Sequence, residues 1–219
     1  MAKNINSILK QVLEKIKPSN EELKTIQDSL NEFLNKIEKK IKDLKISAEI
    51  FIGGSYAKGT IIKKDHYDID IFIRFDGYKN EELSELTREI IKDFKIILIH
   101  GSRDYFRIKV NENLFFEVVP VKKIKNPKEA ENITDLSYSH VKYIKNKIKN
   151  KKILDDIRIA KAFCYANSCY GAESYIGGFS GYALELLVYY YKGFLGFLKA
   201  MAKIKKDAKV IIDIEKHYK

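Results

Sequence analysis

Residues 67–75, Tyr-Asp-Ile-Asp-Ile-Phe-Ile-Arg-Phe, alternate with period two. That pattern predicts a strand. Successive side chains of a strand point to opposite faces, so Asp68 and Asp70 project from one face while Ile69, Ile71 and Ile73 point into a core. Two adjacent carboxylates repel each other unless a cation neutralises them. Hard oxygen ligands of this kind suit Mg²⁺, which binds through one or two carboxylates plus substrate phosphates. Taken alone, Asp-x-Asp reads first as a strand edge with a solvated acidic face.

The residues upstream change that balance. "AEIFI" (48–52) predicts a strand ending at Gly53-Gly54, followed by Ser55 and Lys58. Glycines let the backbone approach a phosphate, whose oxygens can accept from its amides and from the Ser55 hydroxyl. Lys58 adds a point charge in the same turn. Gly-Gly-Ser would also serve as a plain strand-ending turn. A strand, Gly-Gly-Ser, a short spacer and Asp-Ile-Asp on another strand are together more specific than either part. Two-metal phosphoryl transfer calls for a third acid. Glu117 stands alone among apolar residues in "LFFEVVPV", where a carboxylate without a metal or a base is costly. Asp104 and Glu112 have weaker strand context.

The rest of the chain supplies scaffold. Ile5, Ile8, Leu9, Val12, Leu13 and Ile16 form a helical stripe that Pro18 interrupts. Ser19 and Glu22 form a capping box opening a second helix to about residue 44. A helix near 80–93 and strands in "KIILIHG", "YFRIKV" and "LFFEVVPV" follow, with Pro120 and Pro127 bracketing a loop. From about 137 the pattern is helical (138–149, 153–167, 179–192 and 194–205), with a short strand, "KVIIDI", near the end. No apolar run approaches the roughly 18 residues of a membrane span. Two cysteines, Cys164 and Cys169, make neither a disulfide framework nor a zinc site, and a cytoplasmic protein fits. The net charge of +11, from 41 basic against 30 acidic residues, suits a polyanionic partner such as nucleic acid. The basic run "KYIKNKIKNKK" (142–152) reads equally as a phosphate-backbone surface or a solvated lysine face.

Gly54-Ser55, the spacer, Asp68-Ile69-Asp70 and a later strand acid resemble the nucleotidyltransferase superfamily of DNA polymerase β and poly(A) polymerases. "YGAESYIGGFSGYALELLVYYYKGFLGFLKA" (170–200), "GGSYAKGT" and "VVPV" resemble the archaeal, class I CCA-adding enzymes, from about residue 10 to the end. The resemblance implies an α+β fold. A polymerase β-like head with a mixed sheet and helices (1–133) precedes a mainly helical domain (134–219) that contacts the triphosphate and the tRNA acceptor end. It also implies template-free addition of C, C and A to the tRNA 3′ end from CTP and ATP, assisted by two Mg²⁺ ions. Carried onto matching positions, Asp68, Asp70 and Glu117 are the catalytic metal ligands. Gly54, Ser55 and Lys58, with His140, Lys161 and Tyr170 from the helical domain, bind the nucleotide. Lys161 read from its neighbours alone is a cation among apolar residues, either a ligand or a snorkelling lysine. Gly177, Gly178 and Gly181 read as turn and packing positions, with Ser180 a helix cap.

Two departures stand out. Glu117 occupies a position where the family usually has Asp. The family also continues past "EKHYK" with a further α/β domain and a tail that grips the tRNA elbow, including an arginine that reads the incoming base. The expectation is a split or minimal enzyme, with a second polypeptide supplying that region, or a homodimer; an engineered fragment is the other reading. Two further classes remain: a small nucleotidyltransferase that modifies a protein or small molecule, and a non-catalytic RNA-binding subunit.

Overall fold

The computed structural model describes residues 4–205 and 208–218. These pack as two units, residues 17–145 and residues 1–16 with 146–219. The division falls after residue 145, where the sequence pattern put it near 133.

In the first unit, helix α2 (Asn20–Asp43) starts at the Ser19–Glu22 capping box, with both reciprocal bonds present. Strands β1 (Ala48–Ile52), β2 (Tyr67–Phe75), β3 (Ile96–Ile99), β4 (Tyr105–Asn111) and β5 (Leu114–Lys122) form one sheet in the order β1-β2-β5-β4-β3. β2 and β5 run parallel, and the other neighbours are antiparallel. The mixed sheet matches the expected head. Between β1 and β2, Gly54–Ala57 coil into a single helical turn, α3. Helix α4 (Leu83–Ile90) connects β2 to β3, and α5 (Ser137–Lys147) spans the division between the units.

Period two sorts the sheet into two faces. Ile69, Ile71 and Ile73 of β2 are fully buried, and pack with Phe116 and Val118 of β5 and Phe106 and Ile108 of β4. Ile26, Leu30, Phe33, Ile37 and Ile41 of α2, spaced three or four residues apart, close this core with Leu83 and Ile90 of α4. On the opposite face Phe72, Val119 and Val121 form a smaller cluster with Phe51 and Tyr105. Arg74 lies beside it, 2.5 Å from Glu49 and with its guanidinium 4.0 Å from the Tyr138 ring centroid. The remainder of this second face carries the acids.

Two local readings are corrected. Pro120 lies inside β5, paired with Ile73, rather than opening a loop. The pairing of β4 with β5 reaches only to Phe106 and Val118 by Cα partner. A residue without an N–H at position 120 therefore removes no bond from that side, and its carbonyl accepts from Arg103 Nη1 at 3.1 Å. The segment 209–214 is not a strand. Among the described residues its unit offers no strand for it to pair with.

The second unit joins α1 (Ile5–Ile16), α6 (Lys151–Ala166), α7 (Gly181–Tyr190) and α8 (Phe194–Met201). Ile157, Ala160, Cys164, Leu184, Val188 and Phe197 are buried in it. Helix α1 contacts α6, so the first helix groups with the C-terminal residues, although none of its stripe is buried and Ile5 and Ile8 are exposed. Ser180 caps α7, as expected, accepting from the Ala183 amide at 3.2 Å. No helix among the described residues is long and apolar enough to cross a membrane.

Candidate active site

The glycine pair and the acidic strand are parts of one construction. Gly53 donates its amide to the Asp70 carbonyl at 2.9 Å. Gly54 has φ +57°, and a Cβ there would fall 1.6 Å from Asp70 Oδ2; one on Gly53 would fall 2.2 Å from the Phe72 ring. The turn rests directly on the carboxylate, and any side chain at Gly54 would displace it. Ser55 follows within α3 and Lys58 caps its C-terminus.

Register brings in the third acid. Asp70 lies opposite Glu117 in the parallel β2–β5 pair, and Glu117 lies opposite Arg107 in the antiparallel β5–β4 pair. Cross-strand partners share a face, so Asp68, Asp70, Glu117 and Arg107 converge on the face opposite the main core. Burial, followed by the charges of Asp70 and Asp68, pushes the Glu117 carboxyl up to about 7. Asp104 and Glu112 are engaged elsewhere, by His100 at 2.9 Å and Lys109 at 2.6 Å.

Arg107 was not singled out from the sequence. Its Nη2 donates to Asp68 Oδ1 at 2.7 Å, and its Nε lies 3.9 Å from Glu117 Oε1. His66 Nε2 stands 3.4 Å from the other Asp68 oxygen, so a histidine two positions upstream borders the acids. Arg107 was not legible locally, because "YFRIKV" presents an arginine at an alternating position that looks solvent-facing until β5 is placed beside it.

Among the described residues no three acidic, histidine or cysteine side chains close into a ready metal cage; Asp68 is directed to Arg107 and His66. The donor chemistry nevertheless fits divalent cations. All three carboxyl groups offer hard oxygen ligands on one sheet face.

Of the remaining expected nucleotide ligands, His140 is half-buried on α5 in the first unit. Lys161 and Tyr170 belong to the second. Lys161 is buried on α6, and its ammonium bonds Glu185 of α7 at 2.9 Å, a partner the sequence pattern did not reveal. Tyr170 stacks on Tyr165, with centroids 4.2 Å apart. The glycines of the following block make room for this strip. A Cβ at Gly181 would fall 2.7 Å from the Tyr170 hydroxyl, and one at Gly178 would fall 2.2 Å from the Cys169 carbonyl.

Residues 4–151 match the model of the Second Messenger Oligonucleotide or Dinucleotide Synthetase domain. The chain belongs to that family. This nucleotidyltransferase-fold domain is followed at residues 155–219 by a match to the second domain of tRNA nucleotidyltransferase. The family member is homologous to archaeal CCA-adding enzymes. It is 46% identical over 173 residues to that of Nanoarchaeum equitans, covering 78% of this chain and 42% of the relative. It is 33% identical over 224 residues to that of Methanocaldococcus jannaschii, covering 98% and 49%. The chain thus spans less than half the length of these two relatives. Among solved structures, E. coli CdnC with ATP aligns with TM-score 0.65 at 16% identity, over 89% of this chain and 69% of that one. The Cid1 poly(U) polymerase aligns with TM-score 0.63 at 17% identity, over 87% and 56%. At these identities the two structures speak for the polymerase β-like α+β fold.

Proposed function

We propose that this chain carries the nucleotidyl-transfer chemistry of a CCA-adding enzyme, adding C, C and A to the tRNA 3′ end from CTP and ATP. The observation that carries the reading is the placement of Asp68, Asp70 and Glu117 on one sheet face, with the Gly54 turn seated on Asp70. Asp68, Asp70 and Glu117 would hold two Mg²⁺ ions, which supply Lewis-acid charge for the attacking 3′-hydroxyl and the departing pyrophosphate. The chain's own residues orient the reactants. The Gly54 turn, the Ser55 hydroxyl and the Lys58 ammonium take the triphosphate, whose oxygens need donors and positive charge. His140, Lys161 and Tyr170 are assigned to the same triphosphate by likeness to the relatives. Glu185 would orient the Lys161 ammonium, and Tyr165 would brace the Tyr170 ring.

The domain roles follow: a head, residues 17–145, that holds the acids, and a helical part, residues 1–16 with 146–219, that would meet the nucleotide and the acceptor end. A cytoplasmic setting suits such an enzyme.

The test is incubation of the purified chain with Mg²⁺, tRNA lacking its 3′ CCA, and labelled CTP and ATP, separately and together. Ordered incorporation of C and A supports the full proposal. Incorporation without base choice supports the transfer chemistry and moves base reading to a partner. Absence of transfer, also with a relative's C-terminal region added in trans, would sink the reading, provided the fold is intact. Asp70→Asn should abolish transfer while leaving the circular dichroism spectrum unchanged.

A further inference from the structure

Arg107 holds the position on the acidic face where positive charge is most needed. β4 places it opposite Glu117, and Nη2 donates to a single oxygen of Asp68 at 2.7 Å. Its guanidinium carbon lies 4.1 Å from the Phe115 ring centroid. Its Nε is buried and has no hydrogen-bond partner among the described residues, with Glu117 Oε1 at 3.9 Å. An arginine whose whole task was to lock two strands would be expected to grip a carboxylate with both ends of its fork and satisfy Nε. This one is held by one strong bond and a flat aromatic surface, and Nε faces an acid just beyond hydrogen-bond reach. An aromatic face supports a guanidinium without fixing its direction, so the Asp68 bond can break while the stack persists.

We infer that Arg107 is a positioning residue that stands in for cationic charge between Asp68 and Glu117 and cedes Asp68 when a divalent cation binds. The inference rests on the reading that Asp68, Asp70 and Glu117 bind that cation. Two consequences follow. Without cations, Arg107 holds like-charged strand residues together and so stabilises the fold. With cations, it competes for the same oxygen and sets the affinity of the site, so that the acids do not retain cations tightly between turnovers.

The experiment is Mn²⁺ binding to the full chain, without nucleotide or tRNA, followed by the electron paramagnetic resonance signal of unbound Mn²⁺ at low ionic strength. Wild type, R107Q, R107K and D70N are compared, with thermal melts in the same buffers. Removing the competing charge-assisted bond should tighten Mn²⁺ binding by about tenfold in R107Q. R107K, which keeps the charge, should stay near wild type. Mn²⁺-free R107Q should melt lower than wild type and regain most of the difference with Mn²⁺. Should R107Q not fold, R107M keeps contact with Phe115 without the charge and replaces it. Unchanged or weaker Mn²⁺ binding in the uncharged variant, with D70N abolishing it, would overturn the inference and leave the cation site standing. Mn²⁺ binding that survives D70N would overturn the cation reading, and the inference with it.

Discussion

Lys161 and Glu185 make the sharpest energetic prediction in the molecule. The lysine is 2% exposed and the glutamate 0%, on neighbouring helices of one unit, joined by a 2.9 Å bond. Both ions gave up hydration on folding, and each is tolerable because the other is present. Replacing Glu185 with Gln keeps the shape and removes the charge, leaving a buried ammonium with only neutral partners at that bond. Breaking a buried pair in this way costs about 3–5 kcal/mol. With a urea m-value of about 2 kcal/mol/M, the unfolding midpoint of the helical unit should fall by about 1.5–2.5 M. The double variant Lys161→Met/Glu185→Leu removes both charges and fills similar volume, and should return to within about 1 kcal/mol of wild type. The assay is urea denaturation by far-ultraviolet circular dichroism on wild type, Glu185→Gln and the double variant, with Lys161→Met and Glu185→Leu completing the double-mutant cycle. A loss under about 1 kcal/mol in Glu185→Gln, or a double variant as unstable as the single one, would refute the reasoning. The folded double variant has a second use. If nucleotide transfer is lost while stability is kept, the proposed contact of Lys161 with the triphosphate is separated from its part in packing.

Other expectations test the remaining links. Gly54→Ala places a methyl 1.6 Å from Asp70 Oδ2 at φ +57°; it should cost about 1–2 kcal/mol in backbone strain and abolish Asp70-dependent Mn²⁺ binding, and unaltered binding would contradict the seating of the turn on Asp70. Glu22 is held down to about 2, chiefly by the Ser19 amide and then by Lys63. A depressed carboxylate contributes stability in full above its unfolded value near 4.5 and loses it as pH falls toward 2. Glu22→Gln should therefore flatten the acid limb of the stability curve, lowering stability at pH 7 by about 1 kcal/mol; an unchanged acid limb argues against the box. Asp135 is fully buried and accepts from Arg103 Nη1 at 2.6 Å and from the amides of Lys122, Glu131 and Asn132. Asp135→Ala should cost about 3–5 kcal/mol by leaving the Arg103 charge without its carboxylate and three backbone amides without their acceptor, read as a shifted denaturation midpoint.

Local pattern accounts for the parts of the structure that were legible early. The alternation of residues 67–75 put both aspartates on one face, and the structure keeps them there. The caps at Ser19 and Ser180 hold because a cap is completed within four residues of itself. The glycine pair was recognised as a turn suited to close approach. What it approaches, Asp70 Oδ2 itself, emerged with the tertiary structure.

The amino-acid sequence by itself determined most of the element types, the face that Asp68 and Asp70 share, and the likeness to CCA-adding enzymes, because periodicity, capping and motif spacing are written over short stretches. Tertiary structure alone decided that Glu117 stands opposite Asp70 and that Arg107 reaches Asp68 from a strand nearly forty positions away. It also decided that α1 packs with the C-terminal helices, that Pro120 can lie inside a strand, and that Lys161 meets Glu185. Those facts depend on which strand lies beside which and which helix covers which. Such pairings are selected by burial summed over the whole unit, a quantity that no window of neighbouring residues contains.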